Sequence, residues 1–179
     1  MAFEVAPAEV AEVSEGDPEA AARENAARKA RTVAGRKVAG GGHASPDALV
    51  LGADTIVALG ERILDKPATV ERAREWLRAL SGRTHRVVGA LCLVDGEAER
   101  QAVAVTEVEF RALDDAQVEW YLASGEWRER AGGYAIQGRG AALVREIRGD
   151  YLNVVGLPVA ALLDLLPGLL GPRRRGSPA

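Results

Sequence analysis

The chain has 179 residues, 47% of them hydrophobic and 27% charged, with a formal net charge of −3. This fits one globular domain with a sizeable core and excludes disordered and membrane classes. The mild charge argues against a nucleic-acid backbone as partner, and no apolar run approaches the roughly 20 residues of a membrane span.

In chain order, Phe3-Glu4-Val5 reads as a short strand. Residues 1–20 carry six acids and no Lys or Arg, unlike a secretory leader, so a soluble cytoplasmic protein is expected. Asp17-Pro18 opens a helix running to about Lys37, with early acids and late bases. Its stripe of Ala22, Ala26, Ala30, Val33 and Ala34 predicts close packing. Residues 38–47 read as a loop, in which His43 is solvated.

Two β segments follow, 48–54 and 55–59, and Gly60-Glu61 turns the chain. Thr69 caps a helix to Leu80 that buries Val70, Ala73, Trp76, Leu77 and Leu80. Strands at 84–94 and 101–111 form a hairpin through Asp95-Gly96. Cys92 lies in the first of them, where core packing outweighs reactivity; as the single cysteine it forbids an intrachain disulfide. Asp114 and Gln117 spell a capping box for the next helix, which stops at Gly125. A Gly-rich stretch at 131–143 leads to a strand at 142–147 and a final helix from Pro158 to Leu166. Strands mixed with helices predict an α/β domain with a mixed sheet, a single unit over residues 1–167 followed by a flexible basic tail at 168–179.

Neither a Ser-His-Asp nor a Cys-His set can be assembled, and no phosphate-binding Walker loop is present. What remains is acids, lysines and glycine-rich turns, an inventory suited to metal-assisted phosphate chemistry. Asp54, set among apolar strand residues, is either a bend-former or a carboxylate facing a cleft; the residues alone leave both readings open.

Seven segments, ENAARKA (24–30), LGADTIV (51–57), ILDKP (63–67), LSGRTHRV (80–87), TEVEF (106–110), AGGYAIQGRGA (131–141) and GDYLNVVGLP (149–158), occur in an order that resembles the Maf family of nucleoside triphosphate pyrophosphatases. The resemblance implies an elongated, two-lobed domain related to the inosine triphosphatase fold, with a twisted mixed sheet, flanking helices, a central cleft and frequent homodimers. It implies hydrolysis of dTTP or UTP, and of modified pyrimidine nucleotides, to the monophosphate and pyrophosphate with Mg²⁺ or Mn²⁺. Asp54 matches the general base; Lys29 and Lys66 match phosphate contacts; Thr55 and Gln137 match the markers of the dTTP/UTP branch. Glu12, with Asp54, matches the acidic metal-side positions. Asp65 replaces the usual glycine before Lys66 and sets a negative charge beside it. The family's opening strand and its ASxSPRR loop have no counterpart, since MAFEV aligns with the family segment just downstream of that loop. That departure carries an alternative expectation: a catalytically impaired nucleotide-binding or septum-related regulatory protein.

Overall fold

The computed structural model of the chain describes residues 3–38 and 49–170. The loop containing His43 and most of the basic tail lie outside the described residues. Five strands, β1 (Val50–Leu59), β2 (Arg62–Leu64), β3 (Thr84–Asp95), β4 (Ala98–Phe110) and β5 (Val144–Arg148), form one sheet in the order β2-β1-β3-β4-β5. Every ladder among the described residues is antiparallel, which corrects the mixed sheet expected from the sequence. For two of the four ladders, β1–β2 and β3–β4, the reason is local. Tight turns reverse the chain after β1 and β3, and antiparallel partners need no helical crossover.

Helices cover both faces. On one side α1 (Pro18–Val38) lies across β1 and β3; on the other are α2 (Val70–Leu80), α3 (Asp115–Leu122), α4 (Tyr151–Val155) and α5 (Val159–Leu165). No described helix is long and apolar enough to cross a membrane. Side-chain alternation along β1 and β3 divides the core in two. Ile56, Val88, Ala90 and Cys92 pack against the alanines of α1, whereas Val57, Val87 and Val108 join Trp76, Leu77, Phe110 and Tyr121. Cys92 is fully buried, as core packing requires.

The local signals explain most boundaries. Thr69 accepts the Arg72 N–H at the start of α2, and the reciprocal Asp114–Gln117 capping box opens α3. Asp54-Thr55 does not interrupt the chain: the two expected β segments form the single strand β1. Phe3 and Val5 belong to no strand and are exposed. The Asp150 side chain caps α4 by accepting the Leu152 N–H, a short helix that the sequence pattern left unassigned.

The contact that places the rest is between α1 and β1. An added Cβ at Gly52 would stand 2.2 Å from the Ala26 carbonyl oxygen and 2.7 Å from the Ala30 nitrogen, both backbone atoms that cannot step aside. Gly52→Ala should therefore cost about 3 kcal/mol, read as a lower urea midpoint, because overpacked backbone must separate. Gly35→Ala on the same helix meets no atom within 4 Å. That control should be neutral or stabilising by up to about 1 kcal/mol; equal losses in both variants would show that the close approach is not the determinant.

Candidate active site

Asp54 is only 7% exposed, so its carboxylate needs partners. Both come from α1, where Asn25 and Lys29 are four residues apart and share a face. The Asn25 side-chain nitrogen donates to Asp54 Oδ2 at 3.1 Å, and Lys29 Nζ donates to Asp54 Oδ1 at 2.5 Å. The same ammonium reaches Glu12 Oε1 at 2.6 Å. Glu12 Oε2 in turn lies 3.5 Å from Lys66 Nζ. One chain of alternating charges thus joins Asp54, Lys29, Glu12 and Lys66.

Asn25 also fixes the irregular segment that carries Glu12. Its side chain accepts the Val13 N–H at 2.7 Å and donates to the Val13 carbonyl at 3.0 Å. Electrostatics follow from this arrangement. Burial draws the Lys29 pKa down, but hydrogen bonds to Asp54 and Glu12 more than offset that and hold it above the ordinary lysine value. For Glu12, burial pushes upward and the two lysines more than offset it, leaving the carboxyl below its ordinary value.

A cleft of about 230 Å³ opens beside this chain. Ala53, Thr55 and Val57 form its floor, with Lys29 and Asp54 at the rim. Lys66, Arg130, Tyr134, Val154, Val155 and Gly156 also line it. The Thr55 hydroxyl faces Gly156, donating to its carbonyl at a long 3.5 Å. A roomier depression of about 370 Å³ lies along β2, lined by Arg62, Arg72 and Trp76 among others. It holds none of the expected catalytic, substrate-binding or metal residues, although Asp65 lines it.

The structure therefore brings Glu12, Lys29, Asp54, Thr55 and Lys66 to one place. Gln137 is not among the cleft-lining residues; it is exposed, at the start of the 138–143 turn. That turn is held by Glu126, which accepts the N–H groups of Arg139 and Gly140. Asp65 turns away from Lys66's partners: its carboxylate accepts the Trp76 indole N–H at 3.1 Å, along the other depression. Sequence reasoning passed over Asn25, a polar residue inside an alanine stripe whose position four before Lys29 was the available signal. It also passed over His85, which is 2% exposed and bonded through Nε2 to the Tyr134 hydroxyl at 2.8 Å.

These features define an α/β protein with a lysine–carboxylate cleft, a class suited to a small phosphorylated ligand. The sequence profile described as "Maf-like protein" matches residues 1–169, and the chain belongs to that family. Proteins named dTTP/UTP pyrophosphatase are among its relatives. That of Deinococcus radiodurans is 44% identical over 167 residues, covering 93% of this chain and 82% of the relative. That of Anaeromyxobacter dehalogenans is 43% identical over 183 residues, covering 99% and 86%. The Pyrococcus furiosus protein is 48% identical over 121 residues, a match covering 68% of this chain and 64% of the relative, less than two thirds of its length.

Burial without a charge partner pushes the His85 pKa down to about 4 from 6.5, so the folded state keeps the imidazole neutral while the unfolded chain protonates it. Stability from this group is complete above about pH 6.5 and is lost as the pH falls towards 4. The loss amounts to roughly 3 kcal/mol at most. The gap in unfolding free energy between wild type and His85→Gln should therefore narrow by that order between pH 7 and pH 4.5. A gap that stays constant would show that the imidazole is not held neutral.

Proposed function

We propose that this chain is a nucleoside triphosphate pyrophosphatase acting on dTTP and UTP, releasing the monophosphate and pyrophosphate. The supporting observation is the Asp54–Lys29–Glu12–Lys66 chain, of which Asp54, Lys29 and Lys66 line one cleft. Relatives that match four fifths or more of their own length carry the same activity in their names.

In this reading Asp54 is the general base. Two protein donors engage its oxygens, but a carboxylate has about four acceptor positions, so capacity for a water remains. The water oxygen bonds to phosphorus, its proton passes to Asp54, the bond between the α- and β-phosphates breaks, and pyrophosphate leaves. Asn25 and Lys29 hold the carboxylate in a single orientation, so the water is positioned before attack. Lys29 and Lys66 supply positive charge to phosphate oxygens as negative charge builds up on them. Thr55 serves base selection from the cleft floor, and we assign Gln137 a second base contact made when the 138–143 turn meets substrate.

The family resemblance also implies a divalent cation, Mg²⁺ or Mn²⁺. The donor chemistry fits: Glu12 and Asp54 present hard carboxylate oxygens to one shared cation, the Lys29 ammonium. No group of three or more metal-type side chains occurs among the described residues. Two carboxylates suit Mg²⁺, which is held by one or two of them together with substrate phosphates and water. Glu12 and Asp54 would hold the ion, which when bound neutralises phosphate charge.

With dTTP or UTP and Mg²⁺, the protein should release pyrophosphate, and Asp54→Asn should lower the rate by about 100-fold or more. The isosteric amide keeps the size of the side chain, so an unchanged melting temperature would separate lost chemistry from lost folding. Undiminished turnover in Asp54→Asn would remove the assigned base; tight nucleotide binding by the wild type without any product would remove the enzymatic reading.

A further inference from the structure

Three cations line the cleft: Lys29, Lys66 and Arg130. The first two already have carboxylate partners in Glu12 and Asp54. Arg130 has neither an ion pair nor a side-chain hydrogen bond among the described residues, and its side chain is exposed. An unpaired surface arginine is ordinarily just solvated. The backbone beneath this one is, however, unusually constrained.

The Arg130 carbonyl accepts the Gly133 N–H at 2.9 Å, closing a short helical turn over Ala131–Gly133. Gly132 in that turn has φ 68°, and an added Cβ would meet Val57 Cγ1 at 2.8 Å, so the turn is pressed onto β1. The Gly132 N–H donates to the Asp65 carbonyl at 3.2 Å, which ties the turn to the residue before Lys66. Glu129, immediately before Arg130, is the one described non-glycine residue with positive φ, 57°. Such a conformation costs on the order of 1–3 kcal/mol and persists where the surroundings over-determine it. The fold thus holds the Arg130 backbone in a set position, in a turn tied to the residue before Lys66, and its guanidinium has no ion-pair partner among the described residues.

We propose that Arg130 is a further substrate-binding residue, whose guanidinium takes phosphate oxygens of the nucleoside triphosphate and adds a third cation to Lys29 and Lys66 in the cleft. The inference rests on the pyrophosphatase reading and adds a contact to it. A planar fork meets two phosphate oxygens in a fixed, parallel geometry, whereas each lysine acts as a compact point charge. Because Lys29 and Lys66 must share their charge with carboxylates, the unpaired cation gives the incoming triphosphate its uncompensated attraction.

The test compares wild type, Arg130→Met and Arg130→Lys by calorimetry with inorganic pyrophosphate, with a non-hydrolysable dTTP analogue and with thymidine, each in the presence of Mg²⁺. Arg130→Met should weaken both phosphorylated ligands by about tenfold or more and leave thymidine binding unchanged. Arg130→Lys should recover part of the loss, because it restores the charge without the fork. The side chain is exposed and unpaired, so melting temperatures should agree across the three proteins. If Arg130→Met binds pyrophosphate and the analogue as the wild type does, the Arg130 contact is wrong while the pyrophosphatase reading stands. Loss of thymidine binding in parallel would also overturn it, by showing a base contact or a deformed cleft. Failure of the wild type to bind either phosphorylated ligand would overturn both.

Discussion

Asp54 can sit almost out of water only because α1 comes close enough to satisfy it, and α1 comes close only because residue 52 has no side chain. With Gly52 under Ala26 and Ala30, the helix backbone rests on the strand, and the next turns bring Asn25 and Lys29 onto the carboxylate. Asn25 then uses its remaining donor and acceptor capacity on both backbone groups of Val13, which places Glu12 one residue away. Helix, strand and N-terminal segment are thus positioned through one glycine contact and one amide. A buried carboxylate with a missing partner is expensive, whereas a fully partnered one is tolerated. That asymmetry explains why the polar residues inside the alanine stripe are an amide and a lysine rather than further alanines.

The charges at the rim are matched in pairs. Lys29 stays protonated although burial opposes it, and Glu12 stays ionised although burial opposes that as well. Each group supports the other's charged form, so the set resists neutralisation across the physiological range. In the proposed reading, a triphosphate that brings its own negative charge would compete with Glu12 for the lysines. In such an exchange the carboxylates become free to face a cation or a water just as the phosphates arrive. The resting ion pairs and the proposed catalytic contacts are in this sense alternative pairings of the same side chains.

Much of this was legible from local signals. Thr69, the Asp114–Gln117 box and the tight turns mark element ends because capping and turn formation depend on neighbours in sequence. The alanine stripe predicted close packing, and Ala22, Ala26 and Ala30 are fully buried. What stayed hidden depends on long-range placement. Asp54 remained balanced between bend and base because its partners lie 25 and 29 residues away. Phe3-Glu4-Val5 has the composition of a strand, yet no described strand pairs with it. The charge at Asp65 looked adverse until Trp76, eleven residues on, took up its carboxylate. The direction of the β1–β3 ladder was likewise decided by how α2 returns the chain, which no residue pattern states.

The neighbouring positions 54 and 55 pose a geometric problem that the sheet edge resolves. Successive side chains on a strand point to opposite faces. Asp54 accordingly faces α1, while Thr55 faces Gly156 at the end of α4, on the other side of the sheet. One ligand can touch both only where it passes around an edge of the strand. β2 pairs with Val57–Leu59 and stops there, so the outer edge of β1 from Val50 to Ile56 has no ladder partner among the described residues. The cleft lies across that edge, which is how Lys29 from one face and Val155 from the other line the same cavity. In the proposed reading, a base-selecting threonine beside a water-activating aspartate thus needs β2 to be short, because two or three more paired residues would draw Lys66 into the ladder and cover the edge that the cleft crosses.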